Sequence, residues 1–312
     1  MSYLQGKTIV ITGGGSGIGR ALGHFAGAQG ANVVVNDIGT SPQGEGTDAN
    51  AAQTVAKTIQ QAGGQAVANT DSVADWDSAQ KIIQCALDSY GQIDALVNCA
   101  GVMRHAAFEK MDPQDFEAVV NTHLYGTWYV SRAAAPHFVA QGSGAYLHMT
   151  STTGLIGSMG VSNYGTAKGG IMSLSKIIAF DMSRHGNIRS NCMAPSATSR
   201  QWEAINAFRQ KEYDAPGSNT DFRKYRSTQG TNEQIAPVAA YLVSDEAAAI
   251  NGQIIGVRGN EVYLYSQPRP IRSIHNGDGW SLDSLNDTMA GAFGPSLTPL
   301  ETYGQVFSWP TM

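Results

Sequence analysis

Charge is scarce in this sequence: only 14% of its 312 residues are Asp, Glu, Lys or Arg, and the net charge is −5 with no run of lysine or arginine. A nucleic-acid footprint or an anionic-membrane footprint needs such a run, so neither partner is expected. Long apolar stretches are missing too. No segment offers the roughly 18 unbroken apolar residues of a membrane span, and the opening MSYLQGKTIVITGGG lacks the charged-then-apolar pattern of a leader. A soluble, cytoplasmic protein is expected. The three cysteines, Cys85, Cys99 and Cys192, show neither CxxC spacing nor histidines at metal-ligand spacing. They read as buried thiols in a reducing compartment, and no metal is expected.

What is abundant is apolar character, 42% of the chain, set against that low charge. The combination argues against disorder and suggests that surface is buried against copies of the same chain. Short β-branched runs alternate with longer segments of helical period, the signature of βαβ units. Strands are predicted at 7–12, 32–37, 65–70, 93–98, 145–150, 188–193 and 253–257, and helices at 17–29, 48–62, 74–90, 113–141, 163–185 and 232–244. The fold class is therefore α/β, a doubly wound, parallel, seven-stranded sheet of Rossmann type with helices on both faces. Residues 1–258 form that unit, and 199–230 mix aromatic and charged residues as a substrate flap beyond a strand end. Residues 259–312, rich in proline, glycine and aromatics, form an extension that either embraces a neighbouring subunit or its own core, or lines the substrate cleft.

TGGGSGIGR, residues 12–20, follows the first predicted strand and opens the first helix. Glycine lets the backbone approach a pyrophosphate, and the helix N-terminus supplies free N–H groups and partial positive charge. Gly13, Ser16, Gly17, Ile18 and Gly19 are the candidate contacts. Asp37, 18 residues after Gly19, ends the second strand, where a carboxylate accepts hydrogen bonds from adenosine ribose hydroxyls and repels a 2′-phosphate. NAD(H) is expected over NADP(H).

SNYGTAKGG, residues 162–170, places Tyr164 and Lys168 one helical turn apart, and Ser151 stands thirteen residues before the tyrosine at the end of the fifth strand. A hydride leaving a secondary alcohol builds a carbonyl, so the hydroxyl proton needs a base. Tyrosine, with a free pKa of about 10, serves only if a cation favours its phenolate. Lys168 is placed to supply that charge, and Ser151 to hold the substrate oxygen.

Thr12, Gly13, Gly17 and Gly19, followed by Ser151, Tyr164 and Lys168, match the TGxxxGxG and Ser–Tyr–Lys motifs of the short-chain dehydrogenase/reductase family, which the sequence resembles over roughly residues 5–257. The resemblance implies further cofactor contacts at Asp71 and Ser72, at Cys99, Ala100 and Gly101 of NCAG, and at Pro195 and Thr198 of APSATSR, with Tyr164 and Lys168 also on the cofactor. It implies a homotetramer and an alcohol or ketone substrate. His123 occupies the position of the family's active-site asparagine and joins the candidate catalytic set, while Ser196 and Arg200 replace a glycine and a threonine. HLYG, VVVNDIG and APSATSR resemble the hydroxyacyl-CoA dehydrogenase subgroup. The leading expectation is an NAD-dependent enzyme acting on an apolar secondary alcohol of hydroxysteroid or cyclic type. The alternatives are a (3R)-hydroxyacyl-CoA dehydrogenase, with Arg200, Arg209, Lys211, Arg223, Lys224 and Arg226 receiving coenzyme A phosphates, and a catalytically silent dinucleotide-binding scaffold.

Overall fold

The computed structural model describes residues 2–197, 230–301 and 303–309. Seven parallel strands run in the order β3-β2-β1-β4-β5-β6-β7: β1 Thr8–Thr12, β2 Asn32–Asn36, β3 Gln65–Asn69, β4 Ala95–Asn98, β5 Ser143–Met149, β6 Asn187–Ser196 and β7 Ile254–Arg258. An eighth strand, β8 Glu261–Leu264, pairs antiparallel to β7. It corrects the expected count of seven, and it arises because the chain reverses at Gly259, φ 59°.

The strands are apolar throughout because helices cover both faces. Alternation then assigns each side chain to a layer. Ile9, Ile11, Val33 and Val35 meet Leu22 and Ile59 on one face, whereas Val10, Val34 and Leu96 meet Ile82, Ile83 and Phe138 on the other. Each such fully buried aliphatic side chain contributes about 1.5–3 kcal/mol. The helices are α1 Gly17–Ala28, α2 Asn50–Gln61, α3 Trp76–Tyr90, α4 Pro113–Val120, α5 Gly126–Gln141, α6 Thr152–Ile156 and α7 Ser162–Ser183, with Asn232–Val243 and Leu282–Phe293 following β6 and β8. The single helix expected over 113–141 is interrupted by a π turn, Asn121–Tyr125. None of the described helices is long and apolar enough to cross a membrane.

β1 lies between β2 and β4, so the chain reverses its direction of travel across the sheet beside β1. At such a switch point the carboxyl ends of the strands frame a ligand crevice. The ends of β1, β4, β5 and β6 carry Thr12, Asn98, Met149 and Ser196.

Candidate active site

The first turn beyond β1 is built for close approach. Gly13 and Gly17 have φ of 66° and 54°, a region costly for any residue with a Cβ. A Cβ on Gly19 would fall 2.3 Å from the Gly13 carbonyl oxygen. Ser16 is the N-cap of α1, and Ile18 packs partly buried on the sheet. The Asp37 carboxylate accepts from Gly15 N at 2.9 Å and Gly39 N at 2.7 Å, which fixes it beside the glycine turn. A dinucleotide fits this cradle: bare backbone at the helix start for phosphates, and a positioned carboxylate for a ribose.

Neighbouring strand ends complete the rim. Thr12 Oγ1 accepts from Cys99 N at 3.2 Å and Ala100 N at 3.3 Å, tying the NCAG turn to the glycine turn. The Cys99 side chain packs against the core, and burial pushes its thiol up to about 12. Asp71 accepts from Asn69 Nδ2 at 2.8 Å through its carboxylate, and its main-chain carbonyl accepts from Asn36 Nδ2 at 2.8 Å. Ser72 Oγ accepts from Ala74 N. The loop after β2 is tied to the segment after β4, with Pro42 O accepting from Met103 N at 2.8 Å and Gln43 O from Arg104 Nε at 3.0 Å.

Ser151 is the N-cap of α6, its Oγ accepting from Thr153 N at 3.2 Å. Helix α6 lies hard against α7, since a Cβ on Gly154 would fall 2.8 Å from Gly169 N. That approach brings the Ser151 turn beside the helix that carries Tyr164 and Lys168. Lys168 is buried, its Nζ 5.4 Å from the Tyr164 ring centroid and donating to the Met149 carbonyl. Burial lowers the Lys168 pKa to about 8, so it remains an ammonium at neutral pH. Asn163 anchors this end of α7: its Nδ2 donates to Arg104 O and Asp115 O at 2.9 and 3.2 Å, and its Oδ1 accepts from Tyr164 N at 2.7 Å.

The π turn delivers His123 to the same place. Its ring meets Tyr164 edge to face, centroids 5.2 Å apart, and lies under Gly101, where a Cβ would come within 2.1 Å of His123 Cε1. Nε2 is 2.8 Å from Val102 O and 3.2 Å from Val102 N; the shorter contact assigns the proton to Nε2, which donates to the carbonyl. Nδ1 is then a buried acceptor with no hydrogen-bond partner among the described residues. Burial, followed by the Lys168 charge, lowers the His123 pKa to about 3 and keeps the imidazole neutral.

Sequence reasoning missed a polar line beneath the rim. Asn98 Nδ2 contacts His148 Nδ1 at 3.1 Å, His148 Nε2 contacts Ser190 Oγ at 3.2 Å, and Ser190 contacts Ser175 at 2.9 Å. No local pattern signals it, because its members come from four separate elements. Pro195 lies on β6 opposite Val257, whereas Thr198, Arg200 and the expected flap up to residue 229 fall outside the described residues.

The sequence profile of short chain dehydrogenases matches residues 7–209. A short-chain type dehydrogenase/reductase of Mycobacterium tuberculosis is 38% identical over 262 residues, covering 84% of this chain and 85% of that protein. The peroxisomal hydratase-dehydrogenase-epimerase of Neurospora crassa is 37% identical over 258 residues, 83% of this chain but 27% of that longer protein. The crystal structure of a short chain dehydrogenase from Mycobacterium avium superposes with a TM-score of 0.80 at 33% identity, covering 96% of this chain and 99% of that one. This chain belongs to the short-chain dehydrogenase family of oxidoreductases, with NAD(H) as its cofactor.

Proposed function

We propose that the protein interconverts a (3R)-3-hydroxyacyl thioester of coenzyme A and its 3-oxoacyl counterpart. One observation carries the choice of substrate: the likeness, over 83% of this chain, to a protein named for hydratase, dehydrogenase and epimerase steps. A hydratase adds water across a carbon–carbon double bond and leaves a secondary alcohol, the group a dehydrogenase then oxidises. The hydroxysteroid or cyclic-alcohol reading takes second place to it.

NAD+, held by the glycine turn and the Asp37 carboxylate, would supply the hydride acceptor for oxidation of the carbinol carbon. Tyr164 takes the hydroxyl proton. The ammonium of Lys168, 5.4 Å from the ring, stabilises the negative charge that the phenol oxygen carries during the transfer. Ser151 holds the substrate oxygen as carbonyl character develops. Neutral His123 orients Tyr164 through the edge-to-face contact and takes no proton itself above a pH of about 3. Asp37 favours NAD(H) over NADP(H), because a 2′-phosphate beside that carboxylate would meet like charge. Exposed Trp128, Ile177 and Phe180 on α5 and α7 support assembly into a homo-oligomer, which a light-scattering mass would establish or a monomer mass would refute.

The substrate assignment is tested by following NADH absorbance with (3R)- and (3S)-3-hydroxyacyl-CoA beside a hydroxysteroid panel. Turnover of the 3R thioester, inhibited by free coenzyme A, is expected. Turnover of the steroids alone would return the assignment to the second reading, and none with any alcohol would favour a silent scaffold.

A further inference from the structure

The chain beyond β7 follows a defined path back to the active-site rim. After β8, Tyr265 packs against a buried cluster of Ile171, Cys192 and Ile254, which Leu155 of α6, Met172 of α7 and Leu124 of the π turn also cover. Some forty residues later the short helix Tyr303–Val306 lies against α6, the helix capped by Ser151. The Tyr303 hydroxyl is 2.8 Å from Ser196 Oγ, across 107 positions of sequence.

A clasp fixes this segment. Ser196 pairs with Arg258 across β6 and β7, and the Arg258 side chain is fully buried. Its Nη2 lies 2.7 Å from Glu261 Oε2, and its guanidinium sits 5.4 and 5.1 Å from the ring centroids of Phe307 and Trp309. Trp309 Nε1 donates to the other Glu261 oxygen at 2.8 Å. Phe307, only 6% exposed, contacts Tyr303 and Tyr263 at centroid separations of 4.8 and 5.3 Å. A buried guanidinium with one carboxylate and two aromatic faces holds its surroundings in a single arrangement. The extension is therefore bound to its own chain at the carboxyl end of β6.

In a parallel sheet the ligand lies beyond the carboxyl ends of the strands. Met193 of β6 stands opposite Met149 of β5, so Ser196, three residues on, is level with the turn that carries Ser151. A segment that touches Ser196 and also lies along α6 flanks that turn on the substrate side. We propose that residues 303–309 are a wall of the substrate cleft supplied by the same chain, and that Tyr303 is a specificity-determining residue that limits how far a chain on the carbinol carbon extends past Ser196. The proposal rests on Ser151 and Tyr164 marking the reacting centre, as the proposed function assigns them.

The test compares wild type, Tyr303→Ala and Tyr303→Phe on 3-hydroxyacyl-CoA esters of short, medium and long chain, and on a matched series of straight-chain 2-alkanols. Pocket truncations of this size change discrimination by about 10–200-fold. Tyr303→Ala is expected to raise the long-to-short ratio of kcat/KM by at least about tenfold while the KM for NAD stays within about threefold. Tyr303→Phe retains the ring and is expected to keep the wild-type chain-length profile. A folded Tyr303→Ala protein with the wild-type profile would overturn the proposal. If wild type turns over neither series, the substrate assignment fails on its own, and amide hydrogen exchange of residues 303–309 with and without NADH decides: slowed exchange supports a wall at the cofactor rim, and unchanged exchange removes it.

Discussion

Gly101→Ala probes the packing of the candidate site most sharply. The added methyl would sit 2.1 Å from His123 Cε1, 2.7 Å from Nε2 and 2.8 Å from Nδ1. His123 is 2% exposed within the π turn, so its ring has packed neighbours around it. Forcing a methyl into a filled interior costs about 1–3 kcal/mol. A displaced imidazole also loses its 2.8 Å bond to Val102 O, net about 0.5–1.5 kcal/mol. The sum, about 1.5–4.5 kcal/mol, lowers Tm by roughly 2–7 °C for a chain of this size. Thermal unfolding followed by circular dichroism without NADH measures it, because bound cofactor would mask part of the loss. The double variant Gly101→Ala/His123→Ala gives the new methyl room, so the two losses should fall short of additive by about 1–3 kcal/mol. A Gly101→Ala protein within about 0.5 kcal/mol of wild type, or a strictly additive cycle, would refute the packing argument.

Two other perturbations address the cofactor and the lysine. Asp37→Ala removes the carboxylate held by Gly15 N and Gly39 N; with a charge-assisted bond contributing about 1.5–3 kcal/mol, the KM for NAD should rise at least about tenfold and the NADP/NAD preference should narrow. Initial rates with both cofactors check this, and an unchanged KM for NAD would contradict it. Lys168 is depressed from 10.5 to about 8 in the folded chain, so between those values the unfolded chain binds more protons and stability rises with pH. Urea unfolding should show wild type gaining about 3 kcal/mol relative to Lys168→Met between pH 8 and 10.5, with the burial penalty fully present below pH 8. A difference that does not change with pH would show that the lysine is not desolvated.

The seven parallel strands are legible because strands covered on both faces must be apolar throughout, as IVI at 9–11 and VVV at 33–35 show. β8 escapes notice for the opposite reason: Glu261, Val262, Tyr263 and Leu264 are a short, partly exposed edge with no run to detect. The π turn is hidden inside 113–141 because one widened turn leaves the apolar periodicity nearly unchanged, although it sets where His123 points. The glycine turn and the Ser151, Tyr164, Lys168 spacing are local and readable. Asn163, the His148 line and the contact of Tyr303 with Ser196 depend on residues far apart in sequence, and spacing carries no trace of them. Likeness to a hydratase-dehydrogenase-epimerase, rather than the apolar composition, moves the substrate reading from sterol or cyclic alcohol to acyl thioester.

The central claim is that the Tyr164 phenol, tuned by Lys168 and faced by Ser151, moves the proton. The most direct measurement is Tyr164→Phe, with NADH binding followed by fluorescence and turnover followed by absorbance on one preparation. The phenyl ring keeps the contacts with His123 and Lys168, so NADH binding should stay near wild type while kcat falls by at least about 100-fold, the scale of general acid–base catalysis. Wild-type turnover in that variant would contradict the account.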